Sequence, residues 1–186
     1  MIRVPAISFC MANVGANVLQ LPMYEYFHKI YNVRTTPISK QDLPTPFVNI
    51  INGGKHSVTG ELKIQEFMIF PKHDFSVSQK IQLICEIYHT LKQILVEKYG
   101  ESAKSIGDEG GFCPPIYTAE EALSVIEEAI EKSNYKSNEE VFIALDCAAS
   151  EFYDKETKKY EVENGRFLTN FELIDYYGDL MTKHPA

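Results

Sequence analysis

Apolar residues fall along this chain in blocks whose spacing changes from one stretch to the next. In residues 6–18, Ala6, Ile7, Phe9, Cys10, Met11, Ala12, Val14 and Ala16 are small or apolar with hardly a charge among them. That pattern predicts a helix packed on both sides, with Gly15 allowing a close helix contact and Pro5 tolerated only in its first turn. A second short helix is expected after Pro22, through Tyr24, Tyr26 and Phe27, with His28 near its end in a structural role that suits the helix dipole. Residues 33–46, rich in Thr, Pro, Ser and Gln, read as an extended linker and a domain boundary. Residues 47–51 then predict a buried strand, and residues 62–70 a second.

Helical periodicity is clearest in residues 76–98. There Val77, Ile81, Ile84, Cys85, Tyr88, Leu91 and Leu95 fall on one stripe, and Lys80, Glu86, Lys92 and Lys98 fall elsewhere. His89 borders the stripe as a packed or half-exposed residue, and Tyr99-Gly100 ends the helix. A capping box at Thr118–Glu121 starts another helix with Ala122, Val125, Ile126, Ala129 and Ile130 on its apolar face and Glu120, Glu127, Glu128 and Glu131 in solvent. Residues 141–145 are wholly apolar and end in Asp146, as in a parallel strand covered by helices on both sides. A hairpin follows with its turn at 154–158, then a turn at Asn164-Gly165. A second capping box, Thr169–Glu172, opens the last helix through Leu173, Tyr176, Tyr177 and Leu180.

Composition narrows the function classes. At 186 residues the chain is long enough to bury a sizeable core, with 45% hydrophobic and 24% charged residues. A net charge of −8 argues against a nucleic-acid backbone as partner. An anionic small molecule then needs local basic groups, amide donors or a cation. Cys10, Cys85, Cys113 and Cys147 form no C-x-x-C pair, which disfavours zinc and fits a reduced cytosol. No run reaches the roughly 18 apolar residues of a membrane span. The start, Met1–Met11, lacks the polar flank and cleavage site of a signal peptide.

Candidate chemistry concentrates in Gly107-Asp108-Glu109-Gly110-Gly111-Phe112, where two adjacent acids sit among three glycines. Glycines make a tight loop and paired acids can divide acid, base or metal-binding work. Asn52-Gly53-Gly54-Lys55-His56 ends the first strand in another glycine-rich loop. Glu66 lies within an apolar strand run, where a carboxylate costs several kcal/mol unless paired or placed at a site. Both a salt bridge at a strand end and a functional role fit it. Asp146 delivers a carboxylate at a C-terminal strand end, the position that carries chemistry in barrels of alternating strands and helices.

Four stretches together resemble the enolase family: Asn49–His56, Gln65–Ile69, Gly107–Phe112 and Ala144–Tyr153, in the family's order and near its spacing. Weaker likeness runs from about Ala6 to the end. The resemblance implies an α/β fold: the first half of an enolase-type TIM barrel (residues 39–186), preceded by the last helices of an α+β N-terminal domain (residues 1–38). It implies a phosphopyruvate hydratase, reversibly dehydrating 2-phosphoglycerate to phosphoenolpyruvate in glycolysis with Mg2+ as cofactor. On the matching positions Glu109 is the acid that helps hydroxide leave, His56 and Glu66 are substrate-binding groups, and Asp146 is a magnesium ligand. The longer family members are cytoplasmic and form homodimers, with no nucleic-acid or membrane partner implied. The family's proton-abstracting lysine and two further magnesium carboxylates have no counterpart here. The 186-residue chain is therefore expected to be a fragment inactive by itself. The alternative is a non-catalytic, enolase-derived binding or structural protein acting through an unfinished barrel edge. Ser57-Val58-Thr59-Gly60 makes the segment between His56 and Glu66 one residue longer than is typical of the family.

Overall fold

A computed structural model of the chain describes residues 3–31, 44–57, 62–163 and 165–184. The expected linker and the longer loop after Ser57 fall for the most part outside the described residues. The chain divides into two compact units, 1–44 and 45–186.

In the first unit, α1 (Arg3–Val18) and α2 (Met23–Tyr31) form where the apolar pattern places them. Their burial does not follow the expectation of a helix packed on both sides. Ala16 is buried, but Ile7, Phe9, Met11, Val14 and Val18 are exposed, because among the described residues of the unit α2 is the one element that packs on α1. The close contact at Gly15 is with the Tyr26 ring of α2. His28 carries a buried Nε2 with no hydrogen-bond partner. Among the described residues no single helix is long and apolar enough to cross a membrane; the bent pair Pro5–Val18 and Met23–Tyr31, 97° apart, passes by length and composition together.

The second unit is built on a three-stranded sheet in the order β1 (Val48–Asn52), β2 (Glu66–Pro71), β3 (Val141–Asp146). Both pairings are antiparallel, which corrects the expected parallel arrangement of β3. A fully apolar strand reports that both faces are covered, not which way its neighbour runs. Period-two alternation in β2 sends Phe67, Ile69 and Pro71 to one face and Glu66, Met68 and Phe70 to the other. The second strand starts later than its apolar pattern suggests. Leu62 and Ile64 are buried, yet they belong to the approach to β2 and not to its ladder.

The Phe67 face is covered by α3 (Val77–Tyr99) and α4 (Ala119–Lys132). Ser76 caps α3 in a reciprocal capping box with Gln79, and Thr118 accepts from the Glu121 amide at the start of α4. The buried face of α3 differs from the stripe read from the sequence. Leu83, Ile84, Ile87, Leu91, Ile94 and Leu95 are inside, whereas Val77, Ile81 and Cys85 are exposed and Lys80 is 5% exposed. In a helix with apolar residues around much of its circumference, tertiary contact selects the face. The long Lys80 stem packs like a hydrophobe. For α4 the expected apolar face is the one buried.

Beyond β3 the chain makes a small meander, β4 (Tyr153–Asp154), β5 (Lys159–Glu161) and β6 (Phe167–Leu168), and then α5 (Asn170–Lys183). Asp154 closes the β4–β5 turn, accepting from the Glu156 amide at 2.9 Å and the Thr157 hydroxyl at 2.6 Å. Thr169 and Glu172 form the capping box expected for α5. Thr169→Ala removes one of its two reciprocal bonds. It is expected to destabilise the second unit by about 1 kcal/mol, read as a lower urea midpoint at unchanged slope.

Candidate functional site

The candidate residues meet at one end of the sheet. Cross-strand register places Asn52 of β1 opposite Glu66 of β2, and Glu66 opposite Asp146 of β3. Three polar residues thus lie side by side where the strands finish, beyond the apolar stretch that holds them. The turn Gly54–His56 follows β1 directly and carries His56 over the same end.

The acidic glycine loop is fastened to β1 by its backbone. Phe112 donates to the Ile50 carbonyl at 2.9 Å, and the Asn52 amide donates to the Phe112 carbonyl at 2.8 Å. Phe112 itself is buried, so the loop hangs from an apolar anchor that sits in the core. Within the loop, the Gly107 amide donates to the Gly111 carbonyl at 2.8 Å and the Gly110 amide to the Gly107 carbonyl at 3.1 Å. This compact turn projects Glu109 back towards β1 and β2.

Asn52 ties the pieces together. It is 1% exposed, accepts from Asn49 Nδ2 at 2.6 Å through Oδ1, and donates through Nδ2 to the His56 carbonyl at 3.2 Å. A Cβ on Gly107 or Gly111 would collide with the Asn52 amide group. The glycines are required there because the loop must lie flat on a buried side chain. Asn49 Nδ2 also reaches Glu109 Oε2 at 3.5 Å, and His56 Nδ1 lies 3.0 Å from the same oxygen. Glu109, Asn49, Asn52 and His56 therefore form a closed ring of polar contacts.

Ligand atoms of His56, Glu66 and Glu109 all lie within 4.8 Å of one another. Two carboxylates this close cannot both carry charge cheaply. Hydrogen bonding to Glu109 is the largest cause that pushes Glu66 up to about 7, followed by burial and the charges of Glu109 and Asp146. The same hydrogen bond from Glu66, with His56 and Asn49, holds Glu109 below the usual carboxylate range. The pair holds one proton below about pH 7 and loses it above, with Glu66 the member that carries it in this geometry, and it titrates as a unit.

The raised Glu66 value fixes the sign of a stability effect. Its contribution is fully present below the unfolded value of 4.5 and is lost as pH rises to about 7. Glu66→Gln keeps an N–H donor for Glu109 without a second negative charge. It is expected to be more stable than the wild type at pH 8, by about 1 kcal/mol after solvent screening, with no gain near pH 4. Urea denaturation at the two pH values checks this; an equal difference at both would show that the carboxylates do not share a proton.

Asp146 is exposed at the end of β3, and its Oδ1 accepts from the Ala148 amide at 3.0 Å. That bond orients a hard oxygen donor of the kind Mg2+ selects. The residues fit the ion in donor type. Asp146 by itself could offer such an ion one carboxylate, and the remaining coordination would have to come from other oxygens or water. Glu66, Glu109 and Asp146 against one imidazole also make the place strongly acidic, so an anionic ligand could enter only with a cation. Beside it lies a cleft of about 610 Å3 lined by Lys55, Lys63, Glu151, Tyr153, Asp154 and Glu161. There Lys55 pairs with Glu151, and Lys63 with Glu161 at 3.3 Å.

All four residues singled out in the sequence thus lie at one end of the sheet. His56, Glu66 and Glu109 converge, and Asp146 stands opposite Glu66 on the next strand. Asn49 and Asn52 touch the site in a way that the sequence reading did not assign, and the Tyr88 hydroxyl donates to the Gly110 carbonyl of the acidic loop at 2.7 Å. Two asparagines inside an apolar strand run were the available signal for the first two; Tyr88 gave none, because it sits in a helix stripe.

Residues 40–186 match the family described as the enolase C-terminal TIM barrel domain. The chain is similar to the enolase of Methanocaldococcus jannaschii, at 41% identity over 97% of this chain and 39% of that protein. It is likewise 41% identical to the enolases of Thermococcus gammatolerans (96% of this chain, 39% of that protein) and Pyrococcus furiosus (97% and 40%). The chain spans about two fifths of the length of these curated relatives. With most of its length matched to one domain family and its α/β sheet forming part of that domain's barrel, this chain belongs to the enolase family.

Proposed function

We propose that this chain carries part of the active site of a phosphopyruvate hydratase, a carbon–oxygen lyase that interconverts 2-phosphoglycerate and phosphoenolpyruvate. The observation that carries the reading is the convergence of His56, Glu66 and Glu109 within 4.8 Å, at the sheet end where Asp146 also finishes its strand. Dehydration needs a proton for the departing hydroxide, and the Glu66–Glu109 pair stores one near neutral pH. Glu109, the more exposed member, would deliver it, drawing the proton from Glu66. Glu66 and His56 are the groups that would contact the substrate's oxygens. Asp146 would supply one oxygen ligand to Mg2+, which when bound would offset negative charge developing on the substrate. A cytoplasmic location, and a homodimer in the longer protein, go with this reading.

The test is turnover of 2-phosphoglycerate, followed by the ultraviolet absorbance of phosphoenolpyruvate. The native protein isolated from its cells is expected to be active. Its Glu109→Gln form should lose several powers of ten, as should the 186-residue chain alone, which lacks the family's lysine base. Ordinary turnover by the isolated chain, unaffected by Glu109→Gln, would overturn these assignments.

A second reading, a non-catalytic binding protein, draws on a different observation. Among the described residues β3 has no strand on its far side. An apolar groove of about 240 Å3 there is lined by Leu123, Leu145, Cys147, Tyr177, Met181 and His184. His184 Nδ1 is 2.9 Å from Glu127, and its Nε2 is buried without a partner. A monomeric, cooperatively folded 186-residue chain that shows no association would count against this reading.

A further inference from the structure

We infer that Tyr88, on the middle of α3, is a positioning residue that fixes the direction of Glu109 by clamping the peptide that follows it; this rests on the enolase reading of Glu109. The Tyr88 hydroxyl donates to the Gly110 carbonyl at 2.7 Å. Its ring stacks on Phe112 with centroids 4.3 Å apart and planes 22° from parallel. One side chain therefore holds the loop at two points, on either side of Gly111.

The geometry gives this clamp its consequence. Glu109 is the residue between the loop's inner hydrogen bonds, and its carboxylate points to His56 and Asn49 on the β1 side. The next carbonyl, that of Gly110, is taken by Tyr88 from the α3 side. Gly110 has φ +84°, a backbone state that leaves the peptide orientation to be decided by its hydrogen bonds. Its amide is bound to Gly107 and its carbonyl to Tyr88, so both ends of that decision are occupied. Without the phenol, the Gly110 carbonyl loses its hydrogen bond to the helix layer, and Glu109 loses its fixed pivot. Burial pushes the Tyr88 phenol up, so it remains a donor throughout the neutral range. A ring buried for stability alone needs no hydroxyl at this point. Phenylalanine would stack on Phe112 equally well, which is what makes the two roles separable.

The experiment compares Tyr88→Phe with the wild type by two readouts. Amide exchange on the 186-residue chain is expected to speed up about tenfold at Gly107 and Gly110, with Leu91, Ile94 and Phe67 unchanged. In the native protein, kcat is expected to fall about tenfold with KM nearly constant, because Glu109 would be misaligned for the chemical step while binding persists. Uniform acceleration at all five amides, or none at Gly107 and Gly110, would overturn the inference. So would local acceleration with kcat unchanged in an active native protein. If the native wild type turned over no 2-phosphoglycerate, the enolase reading would fall; the exchange pattern would still decide whether Tyr88 holds the loop.

Discussion

Gly107→Ala is expected to destabilise the second unit by about 3 kcal/mol, lowering its calorimetric midpoint by roughly 6–12 °C. The added Cβ would meet the Asn52 amide nitrogen, the Asn52 Cγ and the His56 carbonyl oxygen. None can retreat cheaply. Asn52 is 1% exposed and held between Asn49 and His56, and the His56 carbonyl belongs to the backbone of a tight turn. Either the loop lifts from β1, breaking the bonds through Phe112, or Asn52 rotates and leaves buried polar groups unpaired. A double-mutant cycle tells overpacking from a general loop defect. Asn52→Ala removes two of the three colliding atoms, so the double variant should be more stable than the sum of the singles by about 1 kcal/mol. Simple additivity would show that the close approach to Asn52 does not cause the loss.

Phe67→Ala is expected to cost about 4 kcal/mol. Phe67 is fully buried in β2, between β1 and β3 and beneath α3 and α4. Each neighbouring element is regular secondary structure and cannot collapse fully into the space the ring leaves. The site would suffer with the scaffold, since Glu66 is the adjacent residue and its register to Asn52 and Asp146 depends on β2. Met68→Ala, on the opposite and half-exposed face, serves as the control and should cost less than half as much. Equal losses in chemical denaturation would mean that the two faces of β2 are not distinguished by burial.

Together these two variants separate the layers of the molecule. Gly107 reports the fit of an acidic loop against a strand end, and Phe67 reports the sheet that presents that end. The polar ring of Glu109, Asn49, Asn52 and His56 lies between them. It explains how two carboxylates can be held together: an imidazole and an amide donor face Glu109, while Glu66 keeps the proton.

Much of this was legible in the chain of residues alone. Among the described residues, the apolar runs located the three strands of the main sheet and the five α-helices. Thr118 and Thr169 marked helix starts because capping is a local matter of side chain and nearby amide. Glycines beside Glu109, an acid in the apolar run at Glu66, and an acid ending the run at Asp146 were each a separate signal, and only the resemblance to the enolase family joined them into one site. Each is costly without a local reason. Other features depended on which surfaces meet. The antiparallel pairing of β3 is set by its neighbour's direction and leaves no trace in its own apolar residues. The buried face of α3 rotated away from Val77, Ile81 and Cys85 because the sheet decided which of several apolar sides to cover. The exposure of α1 likewise reflects the little that its own unit packs against it. Glu66 and Glu109 share a proton because a loop 43 residues on in the sequence folds back onto the strand end, and charge coupling follows distance in space. Tyr88 became a candidate for the site by the same route: periodicity could place it on a helix, and only the packed loop gave its hydroxyl a carbonyl to hold.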